Sequence, residues 1–428
     1  MFRRMAAVVV ALMLVLGLQA APARAATPVD AQFAWLIDAS ARLPLPADEL
    51  ARHLDQNLLT AIGGADGFNA TLAPLAPFTA GAVVSSSPTQ LRRLVTSPVG
   101  TLLVTLATGQ AGLLAGFRLT PYQAAPTTWT AVDGILRTLA PRVSFAAMRI
   151  SPSGCELVHG VDPDTARPLG SAFKLYVLGA LAEAVKAGRL SWTAEVPLRP
   201  AWKSLPSGVL QDQPDGTVYT PAELAKYMIS ISDNTATDHL LHTVGREAVQ
   251  RQFTRFGNTT PNAPVLTTRE LFALKSWHYS AVATKYTALP TALKRSMLPL
   301  LGRVPRTAIS GWTDPRMIDQ VEWLGSPVDM CQAYAGLWAQ REQPVNAALT
   351  VNDGGIALPA AEFPTVWFKG GSEPGVFTLS YLARAADGAL VTASLMLSDP
   401  ADPLDETTVA SQAVALLRGA ILLTARDS

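Results

Sequence analysis

Residues 173–185 form an almost unbroken apolar run, with Gly170 ahead of it and Gly188 behind it. A run of that length reads as a helix buried on all sides, and such a helix has to be the centre of a sizeable core. Its start carries the tetrad Ser171-Ala172-Phe173-Lys174. Residues three apart share a helix face, so Lys174 is expected beside Ser171 in the first turn. A lysine whose pKa is lowered by burial or by a second cation can take the proton of a serine hydroxyl. The free N–H groups and positive dipole end of the helix start suit an oxyanion. Alone the tetrad decides nothing, because a serine cap followed by a lysine on a solvated face gives the same letters.

The chain has 428 residues, enough for two or three domains. Its formal net charge of +1 gives no reason to expect nucleic acid as a partner. Arg3-Arg4, the apolar run from Met5 to Leu18 and Ala23-Arg24-Ala25 together read as an export leader over residues 1–25. No later stretch reads as long and apolar enough to span a membrane. Cys155 and Cys331 are the only cysteines, and export permits either a disulfide between them or two buried thiols. The five histidines form no metal-ligand spacing, and no cofactor motif is present.

Along residues 27–120 helical patterns come first, over Ala31 to Ala41, Ala47 to Leu59 and Gly67 to Leu75. Strand-like runs follow, at Gly81 to Ser85, Leu91 to Thr96, Gly100 to Thr108 and Ala111 to Leu119. That order is expected to give a small α+β domain. Asp48, Glu49, His53 and Asp55 are expected on a solvated helix face. Residues 121–139 read as a linker and a leading helix, and residues 140–428 as a second domain. In it a helix is signalled by Thr220, Pro221 and Glu223, and Asn234 opens another after Ser232-Asp233. Helices are also expected over Leu266 to Lys275, Tyr286 to Leu301 and Val328 to Gln340. The chain closes with three strands and an apolar helix over Thr407 to Thr424.

Three motifs therefore follow in order: Ser171-Ala172-Phe173-Lys174 opening a helix, Ser232-Asp233-Asn234 between two helices, and Lys369-Gly370-Gly371 ending a strand. In motif set and order the chain resembles the serine β-lactamase and penicillin-binding protein superfamily from about Ala140 onward. In layout it resembles the two-domain β-lactamase-like protein of clavulanic acid biosynthesis and its actinobacterial relatives. The resemblance implies a steroid-isomerase-like α+β domain followed by an antiparallel sheet covered by helices. It implies Ser171 as the acylated nucleophile, Lys174 as its base, Ser232 as proton relay and Lys369 as a positive charge for a substrate carboxylate. Asn234 would bind the substrate amide and orient Lys174, and Asp233 would anchor the loop. The strand edge at Gly370, Gly371 and Ser372 would line the substrate, with the N–H groups of Ser171 and Ser372 as the oxyanion hole.

Two departures bear on activity. The family's Thr in Lys-Thr-Gly is Gly370 here, and the Glu-Pro-x-Leu-Asn context of the deacylating Glu does not occur after Asn234. Glu270 lies near the expected distance, but its surroundings read as a capped helix. The expectation is an exported acyl-serine hydrolase acting on a small β-lactam or ester, with weak β-lactam turnover. A D-alanyl-D-alanine peptidase acting on a D-peptide, or a non-catalytic module binding a β-lactam or small ligand, are the alternatives.

Overall fold

The computed structural model describes residues 27–426, so the expected leader lies outside the described residues. Two compact units are present, one comprising the residues up to 99 with 104–119, the other 100–103 with 120 onward.

In the first unit, helices α1 (Pro28–Ser40), α2 (Ala47–His53), α3 (Gln56–Ala61) and α4 (Gly64–Leu72) precede β1 (Thr79–Ser86), β2 (Gln90–Ser97), β3 (Gly100–Thr108) and β4 (Leu114–Pro121). The strands form one sheet in the order β1-β2-β3-β4. Thr27 caps α1 reciprocally with Asp30, and Pro28 occupies the first turn, where its missing N–H costs nothing. Val29, Phe33, Leu36, Leu50, Phe68 and Val95 are buried. The single helix expected over Ala47 to Leu59 is instead two, because Asp55 turns its carboxylate onto the Leu58 N–H and caps α3. Glu49 and His53 are not simply solvated either: Glu49 accepts from Trp35 and Arg42, and the His53 ring stacks on Trp35 at 4.1 Å.

The second unit runs through α5 (Trp129–Leu139), β5 (Arg142–Ser151), β6 (Gly154–Val161), β7 (Arg167–Pro168), α6 (Lys174–Lys186), β8 (Val196–Pro197), β9 (Val218–Tyr219), α7 (Pro221–Ser230), α8 (Asn234–Val244) and α9 (Arg246–Arg255). It continues with α10 (Thr268–Lys275), α11 (Ser280–Ala288), α12 (Thr291–Leu301), β10 (Leu324–Gly325), α13 (Pro327–Gln340), α14 (Gln343–Leu349), β11 (Thr365–Glu373), β12 (Val376–Arg384), β13 (Leu390–Ser398) and α15 (Glu406–Arg426). The main sheet is antiparallel in the order β11-β12-β13-β5-β6. Side chains alternate between its faces. Tyr381, Ala393 and Leu395 pack with α5 and α15, whereas Leu382 and Met396 join the core around α6. Every residue from Lys174 to Ala182 is buried, as the apolar run requires.

Several local expectations give way. A 3-10 turn over Gly170–Phe173 leads into α6, so Ser171 stands just ahead of the α-helix rather than in its first turn. The helix expected over Tyr286 to Leu301 breaks at Leu289-Pro290, where proline disfavours a helical residue before it. Helix α14, with Pro344 in its first turn, was not among the expected helices. By length and composition α15 could cross a membrane, contrary to the expectation that no such stretch follows the leader, yet it packs on the sheet with Leu416, Leu417, Ala420 and Ile421 buried. Cys155 of β6 and Cys331 of α13 form a disulfide, so the two thiols are not free.

Candidate active site

The turn between α7 and α8 is built from the inside. Asp233 is fully buried and caps α8 through the Ala236 N–H at 2.8 Å. Its second oxygen accepts from Val209 and Leu210 at 2.7 and 2.9 Å, which fastens the 205–211 loop beneath the turn. Gly208 is required there, since a Cβ would fall on the Asp233 carboxylate. Asp233 is therefore an anchor. Ser232 takes a left-handed backbone with φ 57, sparsely populated for a residue with a side chain. That conformation carries its hydroxyl between two lysines.

Lys174 reaches the Ser232 carbonyl at 2.7 Å, the Asn234 Oδ1 at 2.7 Å and the Ser232 Oγ at 3.0 Å. The Asn234 amide is oriented by its own donation to the Leu205 carbonyl at 3.2 Å. Two of these partners only accept, whereas a hydroxyl also donates. Nζ donates to all three, and once the amine is neutral the Ser232 hydroxyl can reverse its bond and donate to the lone pair. Burial first, then the Lys369 charge, hold Lys174 well below the ordinary lysine range, against the pull of Asp233 and Asp238. Lys369 donates to the Ser232 Oγ at 3.1 Å and to the Gly370 carbonyl at 2.7 Å, and burial pulls it down to about 7. The Ser232 hydroxyl can thus donate to one lysine and accept from the other.

Ser171 opens into the same cleft. None of the Lys174 hydrogen bonds goes to it, and catalytic bonds of this kind commonly tighten only when substrate is bound. Opposite Ser171 runs β11, an edge strand paired only with β12. Gly170, at φ 49, and Gly371 let the two backbones touch. A Cβ on Gly371 would fall on the Ser171 amide, and one on Gly170 would lie 3.1 Å from the Ser372 amide. Two amide nitrogens are thereby set at one place on the cleft wall, the arrangement an oxyanion needs.

The cleft has a volume of about 770 Å³ and takes in Ser171, Ser232, Asn234, Lys369, Gly370, Gly371 and Ser372. Lys174 lies buried behind them. Phe368 and Phe377 also line it, narrowing the space beside Gly370. One wall is α10, whose start is held by the Asp238 carboxylate accepting from Thr268 and Arg269 at 2.7 and 3.0 Å. Burial pushes Asp238 up to about 7. Glu270 caps the same helix with Thr267 and is bound at both oxygens by Arg246. It lines a separate depression with Arg246 and does not line the cleft.

One feature of the cleft escaped the sequence reading. Lys275, at the end of α10, is bound by Glu322 at 3.0 Å and by Glu373, and both carboxylates line the cleft. The signal for Glu373 was the strand period of two, since Lys369, Gly371 and Glu373 share one face of β11. Lys275 and Glu322 carried none. Among the described residues no group of His, Cys, Asp and Glu is arranged to hold a metal ion.

Residues 143–298 match a family model described as the Beta-lactamase enzyme family. Over that stretch the chain is similar to β-lactamases. Among solved structures, a β-lactamase from Sphaerobacter thermophilus is 22% identical, covers 70% of this chain and 98% of its own, and superposes with a TM-score of 0.50. A variant of the class A β-lactamase of the last common ancestor of Gram-negative bacteria is 16% identical, with coverage of 70% and 98% and a TM-score of 0.50. At these identities the likeness is one of fold. No curated protein matches the chain.

Proposed function

We propose that the chain is an exported acyl-serine hydrolase whose Ser171 is acylated by a β-lactam or a reactive ester and which releases β-lactam acyl groups slowly. The observation that carries this reading is the convergence of two buried lysines on the Ser232 hydroxyl, with Lys174 held in a neutral-amine environment. In acylation the Ser171 proton passes to Lys174 as Oγ bonds the substrate carbonyl carbon, whose oxygen turns to the Ser171 and Ser372 N–H groups. The bond to the leaving nitrogen or oxygen then breaks, and that atom takes the proton from Lys174 through Ser232. Lys369 receives a substrate carboxylate and Asn234 its amide. Slow release follows from the loop 257–266, which contains no acidic residue, and from the engagement of Glu270 with Arg246.

Export is supported by the leader-like start and by the Cys155–Cys331 disulfide, which persists in oxidising compartments. The first unit, four helices ahead of a four-stranded sheet, fits the steroid-isomerase-like layout of the two-domain relatives. Intact mass followed over time with a chromogenic cephalosporin, beside Ser171→Ala, tests the reading. A lasting adduct on the native chain and none on the variant is the expected result. Fast colour without an adduct would refute slow release, and neither adduct nor colour, with a phenyl ester also inert, would refute the acyl-serine assignment.

A further inference from the structure

Hydrolysis of an acyl-serine ester needs a group to take a proton from the attacking water, and the cleft has few candidates. Among the described residues the acids lining it are Glu322 and Glu373. Glu373 follows Gly371 by two strand positions on the same face of β11, and Gly371 abuts the Ser171 amide. At about 3.3 Å per residue, the Glu373 Cα stands roughly 7 Å along the strand from the Gly371 Cα, on the side away from Lys369. One water bridges such a gap between a glutamate carboxyl and an acyl carbon. Resting on the acyl-serine reading above, we propose that Glu373 is the general base that activates water against the Ser171 acyl ester.

The groups facing it decide its strength. Lys275 comes from α10 and Glu322 from the segment before β10, while the Trp312 ring lies 6.0 Å from the Lys275 ammonium. Two carboxylates share one cation, so the buried cluster has negative charge in excess. Burial, with the Glu322 charge against the pull of Lys275, holds the Glu373 carboxyl well above the ordinary range. Burial also pulls Lys275 down, but the two carboxylates outweigh it and keep the ammonium charged. Raised in this way, the carboxylate is a stronger base than an exposed one, but it is available to take a proton from water only where the pH has ionised it.

The step balances. Water oxygen bonds the acyl carbon while one water proton passes to Glu373, and the carbonyl electron pair moves to the oxygen held by the Ser171 and Ser372 N–H groups. Collapse breaks the bond from carbon to Oγ, Glu373 returns its proton to Oγ, and the acid product leaves with the second water proton.

The test is single-turnover decay of the acyl-enzyme, read by intact mass from pH 5 to 9, on the native chain, Glu373→Gln and Glu322→Gln. Expected is a native decay rate that rises with pH as the carboxyl ionises. Glu373→Gln should acylate normally, then decay roughly 100-fold more slowly with no pH dependence. Glu322→Gln removes a negative neighbour, so the native midpoint should move to lower pH. Glu373→Gln decaying at the native rate with the native profile overturns the assignment. If Glu373→Gln fails to fold, an unmoved midpoint in Glu322→Gln overturns it instead. No Ser171-dependent adduct on the native chain overturns the acyl-serine reading, and this assignment with it.

Discussion

At the scale of single residues, Ser232 is the point through which both lysines act, and the two lysines differ in what pH does to them. Lys369 has its pKa pulled down to about 7, whereas an unperturbed lysine titrates near about 10.4. Raising the pH from 6 to 8.5 therefore discharges Lys369 in the folded protein. A substrate carboxylate then loses its counter-ion, while Lys174 loses the positive neighbour that disfavours its protonation. For a cephalosporin bearing a carboxylate, the half-saturating concentration for acylation should rise across that window by roughly 10-fold. For a neutral phenyl ester it should stay flat. The two substrates measured side by side on the native chain give the check, and a flat response for the cephalosporin would remove Lys369 as its counter-ion.

At the scale of elements, strand β11 explains why the missing hydroxyl at Gly370 is not a one-letter defect. A Cβ on Gly370 would stand 3.0 Å from the Phe368 ring, 3.2 Å from the Thr378 carbonyl and 3.3 Å from Leu379. The ring of Phe368 fills the room a threonine would need, and it packs at 4.9 Å against Tyr381. Gly370→Thr alone should overpack the strand, costing about 1–3 kcal/mol of stability with no gain in acylation. Paired with Phe368→Ala, the threonine should gain its space, and cephalosporin acylation should exceed that of either single variant. The coupling is read from a double-mutant cycle of acylation rates and melting temperatures. Additive effects would mean that the glycine and the phenylalanine are independent.

At the scale of the whole molecule, what was legible in the sequence was whatever a local pattern encodes. The apolar run after Gly170 could only be a buried helix, and Thr220-Pro221 with Glu223 could only start one. The order of three short motifs was enough to bring Ser171, Ser232, Asn234 and Lys369 to one cleft with Lys174 behind it. The Lys275 cluster was not legible because its members come from a helix end, a loop and a strand end, and no spacing links them. The break at Pro290 had its signal in the letters, but the apolar period on either side outweighed it. Every residue lining the cleft lies between Gly170 and Leu379. Nothing in the chemistry of acylation then requires the first unit. A chain starting at Thr120 should form the Ser171 adduct at a rate within about threefold of the full-length protein, a difference below roughly 1 kcal/mol in barrier. Far-UV circular dichroism and a melting curve on the same sample establish that the shortened chain is folded. A folded but unacylated chain would mean that the first unit supplies part of the site, and the search for the substrate would then have to begin there.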